Sequence, residues 1–156
     1  MADLGAIVSL SGPPLTADAA EVFLHAHAQP ATELRGMWTS AEGQAALAWS
    51  TFCTLPEDLA AAQPLIVRDG QLAICADARI DNRAELLTRL PALRDQASAL
   101  TDAHLILAAY EAWGDACLTR LHGDFAFVLW DARQRRLMAA RDMVGMRPLL
   151  YAQANG

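Results

Sequence analysis

The chain has 156 residues, the size of one domain, and 54% of them are hydrophobic against 19% charged. That balance excludes a disordered chain, and Asp, Glu or Arg interrupts every apolar run before it reaches the roughly 18 residues of a membrane span. A net charge of −6 argues against nucleic acid as a partner. All 12 basic residues are arginine, which excludes a P-loop, a Schiff base and a lysine general base within this chain.

The N-terminal half contains short apolar runs separated by turn residues. A continuous apolar run predicts a strand buried on both faces, at the centre of a sheet, and alternation predicts a half-covered strand. A helix is expected after Thr16, a good N-cap, and before Pro30. The expected elements are a central strand over 5–10, a helix over 17–28, a strand over 45–53, and a hairpin of 65–67 and 72–76 around the turn at 68–70.

The C-terminal half predicts helices followed by strands. Asn82 is expected to cap a short helix through Leu90, and Thr101 opens a longer helix that ends at Gly114. A short helix over 117–121 and strands over 124–130, 137–140 and 148–151 complete the pattern. Because the strands form hairpins and the helices are grouped between them, the sequence predicts one α+β domain over residues 1–156.

The cysteines and histidines give no sign of a metal site. Cys53, Cys75 and Cys117 lie far apart in apolar segments, as buried thiols in a reducing cytoplasm do. His25 and His27 are two residues apart and would point to different faces of a helix. The remaining histidines, His104 and His122, do not have metal-ligand spacing. We therefore expect no metal in this chain.

Four segments resemble the N-terminal domain of glutamine-hydrolysing asparagine synthetases in order and spacing. Residues 101–114 resemble S-D-T-E-V-I-L…Y-x-x-W-G, residues 121–131 resemble L-x-G-x-F-A-F-x-x-W-D, and residues 140–151 resemble A-R-D-x-x-G-x-x-P-L-Y-Y. Residues 76–86 resemble F-N-G-E-I-Y-N-x-x-E-L, and Gln63-Pro64 resembles the family's Q-P. The resemblance implies a class II glutamine amidotransferase domain, an αββα sandwich of two antiparallel sheets covered by helices, of the N-terminal-nucleophile type.

The family's reaction, as the resemblance implies it, depends on a cysteine at position 2. Its thiolate attacks the glutamine amide, its own α-amine is the base, and a side-chain amide and a backbone N–H hold the oxyanion. This chain has Ala2 there, and a methyl group cannot attack. Asp3 replaces a glycine and would place a carboxylate beside the oxyanion. We therefore expect no catalytic residue, and Ala2 is a vestigial nucleophile position.

Other pocket positions of the family are altered as well. The oxyanion-hole Asn-Gly corresponds to Asp77-Ala78, and the arginine that holds the glutamine α-carboxylate would fall in Trp49-Ser50-Thr51, which has no cation. Asp102 matches the family's aspartate for the α-amino group, although an acid in the first turn of a helix also suits the helix dipole. A vestigial pocket of Asp3, Asp77, Ala78 and Asp102 is expected, with three converging carboxylates and Arg79 the first candidate to neutralise them.

The resemblance therefore predicts a catalytically inactive glutaminase-like domain of an asparagine-synthetase-like, ATP-dependent amide ligase. Lasso peptide cyclases and β-lactam synthetases are the relatives that need no ammonia, because an amine of the same substrate attacks the activated carboxylate. The alternatives are a stand-alone binding or dimerisation module, the N-terminal domain of a glutamine-hydrolysing asparagine synthase, and a glutaminase with an unusual nucleophile. The downstream gene sequence would separate the inactive ligase domain from the stand-alone module, through the presence of an S-G-G-x-D-S motif.

The partners and cofactors follow from the same resemblance. No cofactor is expected in this chain, and ATP and magnesium are expected only in a synthetase domain, whose S-G-G-x-D-S loop does not occur in these 156 residues. The expected partners are a C-terminal synthetase domain or its separate equivalent, a precursor peptide and a second copy of the chain. Neither nucleic acid nor a membrane is expected, and the expected compartment is the cytoplasm.

Overall fold

The computed structural model describes residues 2–16, 34–51, 62–96 and 99–153, which form two antiparallel sheets. The first sheet has the order β1-β3-β2 and consists of β1 (Ala2–Val8), β2 (Leu34–Thr39) and β3 (Ala45–Thr51). The second has the order β4-β5-β6-β7 and consists of β4 (Leu65–Val67), β5 (Leu72–Ile80), β6 (Gly123–Asp131) and β7 (Arg136–Arg141). The helices are α1 (Arg83–Arg89), α2 (Asp102–Trp113), and 3-10 turns over Pro91–Gln96 and Gly114–Thr119.

The two sheets pack face to face through one apolar layer. Strand alternation turns every second side chain of β3, β5 and β6 into this layer. Its buried members are Ala45, Leu47, Trp49, Ala73, Cys75, Val128 and Trp130. The inward residues of β1, from Ala2 to Val8, pack against the same layer. This inner layer joins the sheets into a sandwich.

The opposite face of the second sheet is covered by α2. Ile74 and Phe127 of the sheet pack with Leu105, Ile106 and Tyr110 of the helix, and all five are buried. Burying a side chain of this size contributes about 1.5–3 kcal/mol, so this outer layer is a second large source of stability. The α+β sandwich of antiparallel sheets predicted from the sequence is confirmed.

Most of the expected elements of the second sheet are confirmed with small changes of length. The hairpin around residues 68–70 forms, with positive φ at all three turn residues, and α2 runs from its N-cap Thr101 to Gly114. The short helix expected over 117–121 is a 3-10 turn over Gly114–Thr119. At Gly123 φ is +141°, and a Cβ there would overlap the carbonyl oxygen of Arg79. The glycine of the L-x-G motif is therefore needed for close approach of two backbones.

Other expectations differ from the structure. Within the described residues β1 lies at an edge of its sheet and β3 at the centre, so a central position for β1 is wrong. Residues 148–151 form no strand, and β2 was not expected. Asn82 stands at the N-cap of α1, but its side chain bonds the carbonyl of Arg120 and the N–H of His122 instead. The expected helix over 17–28, with His25 and His27, and Cys53 lie outside the described residues.

Candidate functional site

Ala2 and Asp3 begin β1, where strand alternation sends their side chains to opposite faces. Ala2 packs against the inner apolar layer and is paired in register with Thr51. Asp3 is exposed. The position expected to match the family's nucleophile therefore holds a half-buried methyl group that packs against the inner apolar layer, and the carboxylate of Asp3 faces away from it.

Asp77 lies on β5 and has a cationic partner. It follows Ala73 and Cys75 on the side of the strand that faces the first sheet. Its Oδ2 lies 3.0 Å from Nη1 of Arg147, and the two side chains are 15% and 24% exposed. The carboxylate at the position of the family's oxyanion-hole amide is thus neutralised by a guanidinium.

Arg79, the arginine expected to neutralise Asp77, is engaged elsewhere. Its side chain is 64% exposed and forms ion pairs with Asp81, at 3.0 Å, and with Asp124, at 3.2 Å. Because Asp124 is opposite Arg79 in the β5–β6 register, this contact belongs to the sheet surface. Arg147, from the loop after β7, takes the role expected of Arg79.

The outer edge of β5 carries polar contacts on both sides of Ala78. The Gln63 amide pairs with both backbone groups of Ala76, donating to its carbonyl at 2.8 Å and accepting from its N–H at 2.6 Å. The N–H of Ile80 donates to Oδ2 of Asp102 at 3.1 Å. Because backbone groups alternate between the two edges of a strand, the N–H of Ala78 points to this same edge. A backbone N–H does not depend on the side chain, so the change from the family's glycine to Ala78 keeps a donor at this edge.

Asp102, in the first turn of α2, bonds to both α1 and β5. Its Oδ1 accepts from Arg83 at 3.1 Å while its Oδ2 accepts from Ile80. The expected crowding of unpaired carboxylates is therefore not found for Asp77 and Asp102, which pair with Arg147 and Arg83. These contacts give Asp102 a structural role in addition to the helix-dipole role expected from the sequence.

A buried carboxylate holds the loop that carries Arg147. Asp142 is 5% exposed, and its two oxygens accept four backbone N–H groups. Burial alone would raise the pKa of Asp142, but these donors outweigh it and hold the pKa below its ordinary value. The donors are Gly145 at 2.6 Å, Met146 at 3.0 Å, Phe125 at 3.3 Å and Arg147 at 3.2 Å.

The segment in which the family's carboxylate-binding arginine would fall, and in which the sequence has no cation, is part of the core. Trp49 and Ser50 are buried, and Thr51 is half-buried. Trp49 packs in the inner apolar layer beside residues of the second sheet. The end of β3 therefore offers no cation to a glutamine α-carboxylate.

Neither Cys75 nor Cys117 is an activated thiol. Burial raises the pKa of the Cys75 thiol, and burial with nearby Asp115 raises that of Cys117 to about 11, so neither is a poised nucleophile. No cluster of three His, Cys, Asp or Glu side chains that could hold a metal occurs in the described parts of the chain. No helix in those same parts is long and apolar enough to cross a membrane.

Sequence reasoning missed Arg147 and the organising role of Asp142. Both lie in the segment 140–151 that carries the resemblance, and a signal was present in it. An aspartate followed by glycine three residues later is typical of a loop in which the carboxylate collects successive N–H groups. The ion pair from Arg147 to Asp77 joins residues 70 positions apart in sequence, and a single sequence holds no signal for such a contact.

Comparison with known proteins identifies the family. A glutamine amidotransferase domain model matches residues 6–156. The chain is 49% identical over 55 residues to a putative asparagine synthetase [glutamine-hydrolyzing] of Mycobacterium tuberculosis, which covers 35% of this chain and 8% of the relative. It is 35% identical over 72 residues to asparagine synthetase [glutamine-hydrolyzing] 3 of Bacillus subtilis, which covers 46% of this chain and 12% of the relative.

A solved structure agrees with the fold. Glutamine phosphoribosylpyrophosphate amidotransferase from Bacillus subtilis superposes with a TM-score of 0.51 and 21% identity, covering 69% of this chain and 25% of that one. The likeness supports the sandwich fold. Because the family model spans all but the first five residues, the chain belongs to the glutamine amidotransferase domain family.

Proposed function

We propose that this chain is a catalytically inactive glutaminase-like domain of an asparagine-synthetase-like, ATP-dependent amide ligase. Its role is to support and dock a synthetase domain, attached or separate, where ATP and magnesium bind. The lasso peptide cyclase or β-lactam synthetase type fits best, because an internal amine makes ammonia unnecessary. The chain spans about a tenth of the length of the asparagine synthetases it matches. The ligase activity of the whole protein is therefore proposed here.

The observation that carries this proposal is the position of Ala2. The residue that matches the family's nucleophile is a methyl group packed on the inner apolar layer. Neither an alkyl group nor the buried thiol of Cys75 supplies a thiolate to a glutamine amide. A domain without a nucleophile can still contribute folding, docking and assembly.

Asp77 supports the same conclusion from the oxyanion side. A carboxylate accepts hydrogen bonds and cannot donate one to an oxyanion, and this carboxylate is already paired with Arg147 at 3.0 Å.

The free thiols Cys75 and Cys117 suit a reducing compartment, and we place the ligase in the cytoplasm. A precursor peptide and a second copy of the chain remain proposed partners.

Glutamate release from glutamine tests the inactivity. The chain with its natural Ala2 should release no glutamate above background. Ala2→Cys, after removal of the initiator Met, restores thiol and amine but should stay inactive, because a lost oxyanion donor costs roughly 10²–10³ in rate. Adding Asp77→Asn to Ala2→Cys restores the amide and should raise glutamate release by about that factor.

The control is Asp77→Asn alone, which should stay at background because it lacks the thiol. Turnover by the natural chain would overturn the proposal in favour of a glutaminase with another nucleophile. Full turnover by Ala2→Cys alone would show that the chain is one substitution away from a glutamine-hydrolysing synthase domain. A gene that ends near Gly156 without a partner synthetase would favour the stand-alone module.

A further inference from the structure

A cavity lies where the end of the first sheet meets the turn between β6 and β7. Its volume is about 300 Å³, at the lower end of the range in which proteins bind small molecules. The described residues that line it are Val8, Ser9, Leu10, Gln44, Trp130 and Arg135. Ala2 and Val8 are the two ends of β1, about 20 Å apart in an extended strand, so this cavity is separate from the position of the family's nucleophile.

Arg135 is the charged side chain among these lining residues. Its two arginine neighbours in the hairpin have carboxylate partners, since Arg133 pairs with Asp131 at 3.0 Å and Arg136 pairs with Asp115 at 2.8 Å. Arg135 is exposed and forms no ion pair with any residue that the structure describes. Because a guanidinium stays protonated at physiological pH, one positive charge at the cavity is left for a ligand.

The backbone at Arg135 indicates that the turn itself does not require an arginine. Its φ is +49°, in the left-handed region that glycine adopts freely and that a residue with a Cβ adopts at a cost. The N–H of Arg135 bonds the carbonyl of Ala132 at 3.2 Å, so the main chain closes the turn. The side chain of Arg135 therefore needs an explanation other than the conformation of the hairpin.

Trp130 gives the cavity an apolar wall and a buried donor. It is 2% exposed and packs in the inner apolar layer. Its indole Nε1 has no hydrogen-bond partner within the described parts of the chain, whereas buried donors in folded proteins nearly always have one. With Val8 and Leu10, the described lining is half apolar. A ligand with an apolar body and an acceptor group matches these features together.

We propose that this cavity binds a small organic carboxylate, with its carboxylate group on the guanidinium of Arg135 and its apolar body against Trp130. A guanidinium donates two parallel hydrogen bonds to a carboxylate, and its single charge matches a carboxylate better than a phosphate dianion. None of the described lining residues is acidic, so the α-amino group of an amino acid would have no counter-charge there. The inference is independent of the proposed function.

Titration with three matched probes, followed by backbone and indole N–H signals in NMR spectra, tests the ligand class. 3-Phenylpropionate should shift the indole signal of Trp130 and the amide signals of Ser9 and Gln44, and these shifts should saturate. 3-Phenylpropanamide has the same body without the charge and should bind about tenfold more weakly. Phenylalanine adds an α-amino group and should also bind more weakly. The amide signals of Asp77 and Ala78 are the internal reference and should stay unchanged.

Two substitutions of Arg135 separate binding from stability. Arg135→Gln and Arg135→Gly should each weaken the binding of 3-phenylpropionate about tenfold, because both remove the guanidinium. Arg135→Gly should not lower the urea midpoint, because glycine suits the left-handed backbone at this position. Arg136→Gln is the matched control. It removes the same charge from the next residue, whose guanidinium is held by Asp115, and should leave binding unchanged.

The cavity is not a carboxylate site if 3-phenylpropionate leaves the signals of Trp130, Ser9 and Gln44 unchanged. Equal binding of 3-phenylpropionate and its amide would overturn the role of the charge, and equal binding of inorganic phosphate would overturn the role of the apolar wall. Unchanged binding in both Arg135 variants would remove Arg135 from the site. Shifts confined to Asp77 and Ala78 would assign the ligand to the vestigial pocket and overturn the inference.

Discussion

In this sandwich a single buried carboxylate can accept hydrogen bonds from several groups. Asp131, at the end of β6, is fully buried, and its oxygens accept from the Tyr110 hydroxyl at 3.1 Å and from the Arg133 side chain and backbone. Burial alone would raise the pKa of Asp131, but these donors outweigh it and lower the pKa. Burial, followed by the Asp131 charge, raises the pKa of Tyr110 to about 12.

Removing this carboxylate should cost far more than removing an exposed one. Asp131→Ala leaves the buried hydroxyl of Tyr110 without its acceptor, a loss of about 1–3 kcal/mol in the free energy of unfolding. Asp115→Ala removes a partner of Arg136 on the surface and should cost about 0–1 kcal/mol. Urea unfolding followed by tryptophan fluorescence measures both. Equal losses would show that the Asp131 contacts add nothing beyond a surface ion pair.

At the scale of the elements, α2 begins with a capping box. The N–H of Thr101 donates to Nδ1 of His104 at 3.2 Å, and the Thr101 hydroxyl lies 2.8 Å from the same nitrogen. This is a capping box in which histidine takes the place that Glu or Gln usually has. Burial, and then the charge of Arg83, lower the pKa of His104, so the folded protein favours the neutral ring.

The cap should therefore weaken in acid. Because the folded pKa lies below the unfolded value of about 6.5, the unfolded state binds more protons, and stability is lost as the pH falls from about 6.5 through the folded pKa. Amide exchange protection in the first turn of α2 should fall over that window. His104→Gln keeps a group that can accept from Thr101 and should remove the pH dependence. His122→Gln, at an exposed histidine, is the control and should leave it unchanged.

The second sheet was easier to predict from sequence than the first. Each of its elements has a local signal. The hairpin at 65–76 has a turn with Gly70, and α2 has a helical period of apolar residues. The strand β6 is a run of apolar residues whose side chains enter the two core layers in turn. The edge position of β1 depends on which strands pair with β3, and this is a non-local outcome. The structure has no strand over 148–151, and these residues follow a loop in which the N–H of Arg147 bonds Asp142 and its guanidinium pairs with the distant Asp77.

The candidate site was predictable in its residue types and not in its contacts. Alignment to family motifs is enough to give Ala2, Asp77, Ala78 and Asp102 as altered or retained positions. Strand alternation, which places Asp3 on the opposite face from Ala2, could have been applied from the sequence alone. The partner of Asp77 could not be predicted from the sequence, because Arg79 is near Asp77 in sequence and Arg147 is near it only in the folded chain.

At the scale of the whole molecule, two carboxylates that accept several hydrogen bonds bear on acid stability. The pKa values of Asp131 and Asp142 both lie below the ordinary value. Asp131 closes the turn between β6 and β7, and Asp142 holds β6 to the loop that contacts β5. Protonating the two therefore loosens both ends of the β6–β7 hairpin.

The folded protein should lose stability as the pH falls below about 4. Each depressed pKa contributes stability that is fully present above the unfolded value of about 3.9 and is lost as the pH falls through the folded value. Urea midpoints measured from neutral pH to pH 2 should show this slope. Asp142→Asn should flatten it and also lower the midpoint at neutral pH, because one amide oxygen replaces two carboxylate oxygens as acceptor for four N–H groups. Asp3→Asn, at an exposed position, should keep the natural slope. An unchanged slope in Asp142→Asn would mean that the loop is held by the Arg147–Asp77 pair alone.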